Sequence, residues 1–121
     1  MGTDKGVKFD TDKPRLDLVV GGFANAITEV GKVGTFGANK YTDNGWQEVE
    51  NGVERYASAM LRHYLAFKKG ELIDHDSNLP HLSHLAWNGL AVLELFIRST
   101  IPKAEECGFD STPGAVNIIH R

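Results

Sequence analysis

Four of the five histidines lie within residues 55–88, a stretch that also holds three acidic residues. The histidines are His63, His75, His81 and His84, and the acidic residues are Glu71, Asp74 and Asp76. Neutral imidazoles and carboxylates bind divalent metals, so zinc, manganese, iron or magnesium could each use a subset of them. The predicted metal ligands are His63, Glu71, Asp74, His81 and His84.

A single histidine on an apolar helix face is more often a core residue than a ligand. The H-x-x-H spacing of His81 and His84 is a weak signal by itself, although it places both rings on one side of a helix. The convergence of three histidines with Glu71-x-x-Asp74 is what favours a site over structural histidines.

The elements that must position these side chains are two helices joined by an acidic loop. The first is predicted from about Val53 to Lys69, because steps of three and four residues place four side chains on one face. These are Tyr56, Met60, His63 and Phe67. The helix also carries Arg55, Arg62 and Lys69 at intervals of seven. Such a stripe is typical of a solvated face, but Arg62 adjoins His63 and could contact an anionic ligand.

The second of these helices is predicted from about Pro80 to Ser99, since Pro102 prevents it from continuing much further. The same spacing gives it an inward face of His81, His84, Asn88, Ala91 and Leu95. We expect its leucine face to be buried as well, through Leu82, Leu85, Leu90, Leu93 and Phe96. In the intervening loop, Gly70 can end the first helix, and Ser77 or Asn78 can cap the next. The acidic loop is therefore expected to lie over the histidines.

The N-terminal segment alternates basic and acidic residues and has no helical pattern, and Pro14 argues against a helix there. We expect an extended arm. It is either solvated throughout or supplies Lys8, Lys13 and Arg15 as phosphate ligands, since cations with fixed donors suit that role.

A further helix is predicted from about Gly22, where Phe23, Ile27, Val30 and Val33 recur at helical spacing. The glycines at positions 31, 34 and 37 indicate either a close approach between two helices or a helix that ends early. Asn44-Gly45 is a turn signal, and Lys40, Tyr41 and Trp46 surround it. These three could hold a phosphate and a base, although a tryptophan that fills the core is the commoner arrangement.

The composition is that of one globular domain. The chain has 121 residues, 41% of them hydrophobic and 24% charged, with a net charge of −3. This charge gives no broad attraction to a polynucleotide, and no apolar run is long enough to span a membrane. The single cysteine, Cys107, excludes an internal disulfide, so we expect a cytoplasmic protein. The fold class predicted is all-α: three main helices in a single domain over residues 1–121, with an extended N-terminal arm and an irregular C-terminal tail.

An ordered set of motifs over about residues 6 to 97 resembles the phage-associated dATP/dGTP diphosphohydrolase family. The motifs are G-V-K-F-D-T-D-K-P-R-L-D-L, G-K-V-G-T-F-G-A-N-K-Y-T-D-N-G-W, R-Y-A-S-A-M-L-R-H and G-E-L-I-D-H-D-S-N-L-P-H-L-S-H-L-A-W-N. The family is similar to the all-α MazG-type nucleoside triphosphate pyrophosphohydrolases, which are metal-dependent helical oligomers. If the chain is phage-encoded, its location is the host cytoplasm.

The resemblance implies hydrolysis of a (deoxy)purine nucleoside triphosphate to a monophosphate and pyrophosphate by metal-activated water, with Mg²⁺ or Mn²⁺ as the expected cofactor. The predicted catalytic residues are Glu71, Asp74 and His63, and the predicted substrate ligands are Lys8, Lys13, Arg15, Lys40, Tyr41, Trp46, Arg62 and Asn88. The MazG-type enzymes pair E-x-x-E with E-x-x-D, whereas only Glu71-x-x-Asp74 fits here. The same residues could instead serve a protein that sequesters a nucleotide without cleaving it.

A homo-oligomer is also expected. Three helices make a small domain that buries only about 65% of its extended-chain surface. The apolar ends at Val19, Val20 and 116–119 would be poorly covered in a monomer, and exposed apolar patches usually mark an interface.

Overall fold

The computed structural model describes residues 12–100 and shows a small helical bundle. The helices are α1 (Leu16–Val20), α2 (Ala24–Lys40), α3 (Gly52–Lys68) and α4 (His81–Thr100), with a 3₁₀ turn at Gly45–Glu48. Two short antiparallel strands, β1 (Ile73–Asp74) and β2 (Leu79–Pro80), pair between α3 and α4. The all-α prediction is confirmed. Lys8 and the predicted tail after Thr100 lie outside the described residues.

Helices α3 and α4 form an antiparallel hairpin, and α2 packs against α4. The start of α3 lies beside the end of α4, where a Cβ on Gly52 would come within 2.7 Å of Leu95. Further along, a Cβ on Gly89 would lie 3.5 Å from the Met60 sulfur. Glycine at position 52 therefore permits the close approach of the two helices at this end of the hairpin.

The segment predicted to be an extended arm contains a short helix. Helix α1 begins directly after Pro14 and Arg15. A proline is tolerated just before or at the first turn of a helix, because the amide that it lacks has no intrahelical partner there. Pro14 therefore precedes this helix and does not exclude it.

The glycines of α2 do not end the helix, which continues through all three to Lys40. Of the three, Gly34 faces α4, and a Cβ there would lie at the ordinary van der Waals distance of 3.5 Å from the Trp87 ring nitrogen. A Cβ on Gly31 or on Gly37 would meet nothing within 4 Å. Gly34 therefore lies at the contact between α2 and α4, but at none of the three positions do the described residues require a glycine for close approach.

The inward face of α4 is polar, and its leucine face is not buried as predicted. His81, His84, Asn88 and Ala91 are buried, as the helical spacing indicated. Leu82, Leu90 and Leu93 are 44%, 57% and 50% exposed, and Phe96 is also exposed. Leu85 is half-buried. The difference arises because α2 and α3 cover two sides of α4, and the leucines lie on a third.

The α3–α4 connection begins with the predicted helix end at Gly70, whose φ is +98°. The amide of Gly70 donates to the Phe67 carbonyl, and the amide of Glu71 to the Ala66 carbonyl, the pairing of a Schellman motif. The predicted caps of α4 have another role. Asn78 has a φ of 61° in the tight turn between β1 and β2, and the Ser77 hydroxyl accepts from the Leu79 amide within that turn.

No helix within residues 12–100 combines the length and the apolar character needed to cross a membrane.

Candidate metal centre

Three histidine rings meet where α3 and α4 face each other. The Nδ1 atoms of His63 and His81 are 2.8 Å apart. The His63 ring also stacks on the His84 ring, with centroids 4.5 Å apart and planes 12° from parallel. Two Nδ1 atoms at this distance either share one proton or direct two lone pairs at a common ion.

The acidic loop supplies two carboxylates to the histidines, as predicted. Glu71 Oε2 lies 3.4 Å from His81 Nε2, and Asp74 Oδ2 lies 3.7 Å from His84 Nε2. His81 Nε2 is buried and has no hydrogen-bond partner among residues 12–100, because the approach of Glu71 satisfies the distance of an ion pair but not the geometry of a hydrogen bond. Asp76 pairs with Lys40 at 2.9 Å, and its charge also opposes the lowering of the His84 pKa.

Ser77 links the acidic loop to α4, and sequence reasoning considered it only as a cap. Its hydroxyl donates to Asp74 Oδ2 at 2.9 Å and lies 2.6 Å from His84 Nε2. Because that hydroxyl hydrogen is directed to Asp74, the oxygen accepts from His84, which places the His84 proton on Nε2. In a nucleophilic triad the carboxylate would contact His84 Nδ1, the ring nitrogen that does not face the serine. Asp74 contacts Ser77 instead, so this is not the arrangement of a triad. The signal available in the sequence was the spacing Asp74-x-x-Ser77, typical of a side-chain-stabilised turn.

The electrostatic environment favours the neutral forms of His63 and His84 and the ionised form of Asp74. Burial lowers the pKa of His63, and the neighbouring His84 lowers it further. Burial also lowers the pKa of His84, against the attraction of Asp74. Burial alone would raise the pKa of Asp74, but the hydrogen bonds from the Ser77 amide and hydroxyl outweigh it, and the pKa lies below its usual value. Neutral imidazole and ionised carboxylate are the forms that bind metals.

His63, Asp74 and His81 fit a divalent metal. Each offers one ligand atom, and these atoms all lie within 4.8 Å of one another. Two ligand atoms that are about 2.1 Å from one ion can be at most about 4.2 Å apart. Small side-chain movements would therefore bring the three ligand atoms close enough together to bind one ion. Two imidazoles and one carboxylate suit Mn²⁺, Fe²⁺ or Zn²⁺ better than Mg²⁺, which prefers oxygen ligands.

Two of the five predicted ligands lie beside this set of three. Glu71 lies at the Nε2 edge of the His81 ring, opposite the Nδ1 atom that faces His63. A carboxylate in this position would orient the ring of a ligand histidine. His84 is held by Ser77 and by its stacking on His63. Asn88, predicted as a substrate ligand, is buried one turn further along α4, and its side-chain amide donates to the His84 carbonyl at 2.8 Å.

The predicted substrate ligands are spread over the surface. Lys40 is next to the acidic loop through Asp76, and its Nζ lies 5.4 Å from the centre of the exposed Tyr41 ring. Arg62 is exposed and donates to the Ser58 hydroxyl, with its positive charge close enough to lower the pKa of His63. Arg15 forms two hydrogen bonds with Asp17, and Lys13 is exposed.

Trp46 belongs to an aromatic cluster with Tyr56 and Trp87. Its ring centroid is 6.4 Å from that of Tyr56 and 5.6 Å from that of Trp87, both edge-to-face. The Tyr56 hydroxyl donates to the Trp46 carbonyl at 2.9 Å. These contacts favour the packing role that the sequence analysis gave as the alternative for this tryptophan.

A groove of about 510 Å³ runs along α2 to the acidic loop, and sequence reasoning missed it. Its α2 wall includes Thr28, Lys32, Thr35, Phe36 and Asn39, and its other wall includes Ser77 and Leu79. The polar residues recur every three or four positions, a pattern that also fits a solvated face and therefore gave no separate signal.

The family assignment agrees with this architecture. The family model described as dATP/dGTP diphosphohydrolase, N-terminal, matches residues 3–104. The chain belongs to this family. Its matched region contains α1 to α4 and every residue of the histidine cluster. Comparison with curated proteins and with solved structures gave no match.

Proposed function

We propose that this member of the dATP/dGTP diphosphohydrolase family is a metal-dependent hydrolase that cleaves a (deoxy)purine nucleoside triphosphate between its α and β phosphates. The observation that carries the proposal is the junction of His63, His81 and Asp74, in which the lowered pKa values of His63 and Asp74 favour the forms that bind metals. His63, His81 and Asp74 would hold a divalent metal there, which would supply Lewis acidity for phosphate hydrolysis.

The roles of the chain's own residues follow from their contacts. Ser77 holds Asp74 ionised and fixes the orientation of His84, which in turn supports the His63 ring from one face. Glu71 lies where it can orient His81 by accepting from Nε2 after a small adjustment. In this assignment Glu71 and His84 position the ligands rather than bind the metal.

The groove along α2 is proposed to hold the nucleotide. It begins at Ser77, beside the cluster, and its wall supplies hydroxyl, amide and ammonium groups from Thr35, Asn39 and Lys32. Lys40 lies at the loop end through its pair with Asp76. Ammonium groups near the cluster would attract the polyphosphate and stabilise the negative charge that develops during cleavage.

Product analysis after metal loading tests the proposal. The purified protein is treated with EDTA, supplied with Mn²⁺, Zn²⁺ or Mg²⁺, and incubated with each deoxynucleoside triphosphate, and the products are separated by ion exchange. We expect dAMP or dGMP with pyrophosphate, most with Mn²⁺ or Zn²⁺, and no turnover without metal. Recovery of intact nucleotide that is nevertheless bound would contradict catalysis and indicate a sequestering protein. Release of inorganic phosphate instead of pyrophosphate would contradict the proposed bond.

A further inference from the structure

The two lysines assigned to the nucleotide groove are each paired with a carboxylate. Lys32, on the α2 wall, contacts Glu29 at 2.8 Å within the same helix. Lys40, at the loop end, contacts Asp76 at 2.9 Å. An ammonium group that already binds a carboxylate must release or share that contact before it binds a phosphate oxygen. The pairs differ in what they connect, because only the second one joins two separate elements.

The Lys40–Asp76 pair joins the two walls of the groove. Lys40 is the last residue of α2, and Asp76 is in the acidic loop, 36 residues later. Their chain neighbours Asn39 and Ser77 line the groove from opposite walls. The Lys40 ammonium also lies 5.6 Å from the centre of the Phe36 ring, which lines the same groove. The pair therefore lies at the end of the groove that is beside the histidine cluster.

The Lys40–Asp76 pair is exposed, so a stronger anion can replace the carboxylate. The two side chains are 42% and 64% exposed, and water and salt screen the attraction between them. Among residues 12–100, Lys40 is the only hydrogen-bond partner of the Asp76 carboxylate. A polyphosphate carries several negative charges, so it attracts the ammonium more strongly than one carboxylate does.

We propose that Asp76 occupies, in the free protein, the position on Lys40 that a phosphate of the bound nucleotide takes. Binding transfers the Lys40 ammonium from the carboxylate to the phosphate, because sharing it would place Asp76 beside oxygens of the same charge. Asp76 thus lowers the affinity of a ligand that needs Lys40 and leaves other ligands unaffected. This inference rests on the proposed placement of the nucleotide in the groove, but not on its cleavage.

Calorimetric titration of the full chain with inorganic tripolyphosphate tests the competition. EDTA is present, so that no metal contributes to phosphate binding. Asp76→Asn should bind tripolyphosphate about two- to fivefold more tightly than the wild type, which is the factor expected for an exposed ion pair. An Asp76→Asn protein that binds no more tightly than the wild type, or a wild type that binds no tripolyphosphate, would overturn the proposal.

Glu94→Gln is the matched control. It also removes one negative charge from an exposed ion pair, but its partner is Arg98 and neither residue lines the groove. Its affinity for tripolyphosphate should equal that of the wild type, and circular dichroism checks that both variants keep their helices. A gain as large as that of Asp76→Asn would indicate an effect of net charge and overturn the assignment to Lys40.

A double-variant cycle separates competition for Lys40 from simple repulsion by Asp76. Lys40→Gln should bind tripolyphosphate more weakly than the wild type. Adding Asp76→Asn to Lys40→Gln should leave that affinity nearly unchanged, because there is no ammonium group to release. A gain of the same size with and without Lys40 would overturn the competition and indicate repulsion alone.

This inference and the proposed hydrolase activity can fail separately. If the affinities change as expected but the metal-loaded protein releases no pyrophosphate, catalysis is contradicted, and Asp76 lowers the affinity of a sequestering protein. If pyrophosphate is released but Asp76→Asn binds tripolyphosphate like the wild type, the hydrolase activity stands and the competition is refuted.

Discussion

The side chain of Asp74 combines two properties at one position. It accepts two hydrogen bonds from Ser77, which outweigh burial and keep its pKa low, and it is a potential ligand with His63 and His81. A carboxylate with a lowered pKa stays charged at neutral pH, and its negative charge compensates the charge of a bound cation.

Replacing Asp74 by Asn should abolish turnover and leave the helices intact, because the change removes a charged ligand and almost no volume. A ligand should matter at least as much as the residues that orient it, so we expect turnover to fall by about 100-fold or more. Steady-state pyrophosphate release measures the effect, and circular dichroism measures the helix content. Asp43→Asn, at an exposed loop position, serves as the control and should retain wild-type rates. A metal-dependent Asp74→Asn protein of normal activity would rule out this ligand.

The end of α3 is the element that directs the acidic loop over the histidines. Its Schellman motif requires Gly70 at a φ of +98°, a conformation that residues with a Cβ rarely adopt. The chain then reverses through β1 and β2, so that Glu71 and Asp74 return to the helix faces that carry His81 and His84.

Gly70→Ala should lower the free energy of unfolding by about 1 kcal/mol, through the backbone alone. A Cβ at position 70 meets nothing within 4 Å, so no clash contributes. Gly37→Ala is the matched control. A Cβ at position 37 also meets no atom within 4 Å, and this position lies within helix α2. There alanine should increase stability by up to about 1 kcal/mol. Urea unfolding at one protein concentration compares the two, and effects of the same sign would contradict the argument.

At the scale of the whole molecule, the site is polar and sits in a core that is otherwise small. Most buried side chains of α4 are polar, and the apolar residues lie largely on the surface. The stability of the bundle should therefore depend on the ionisation of the half-buried His63 and the buried His84.

Without metal, the protein should lose stability as the pH falls below about 6.5. The folded-state pKa values of His63 and His84 are lowered from their usual 6.5, so the unfolded chain binds more protons than the folded one below that pH. Stability is fully present above about pH 6.5, and falls below it by up to about 1.4 kcal/mol per pH unit for each histidine. Urea unfolding in EDTA between pH 5 and 8 measures the slope. His84→Gln should flatten it, and His75→Gln, whose side chain is 89% exposed, should not.

Local rules in the sequence determined the helices and which of their faces turn inward. The spacing of His63 with Tyr56, Met60 and Phe67, and of His81 with His84 and Asn88, correctly indicated which faces turn inward. Gly70 and Asn44-Gly45 marked the helix end and the turn, because few other residues adopt a positive φ. These features depend on neighbours in the chain, so periodicity and backbone preference suffice to predict them.

Only the tertiary structure decided which side of α4 the other described helices cover and which of the predicted ligands lie close together. Leu93 and Ala91 look equally suited to a core, but α2 and α3 cover the side of α4 that carries Ala91. Asp74 lies with His63 and His81 in a group that could hold a metal, whereas Glu71 lies 3.4 Å from His81 Nε2 and outside that group. Such distinctions arise from the relative placement of elements that are distant in sequence, which helical spacing does not encode.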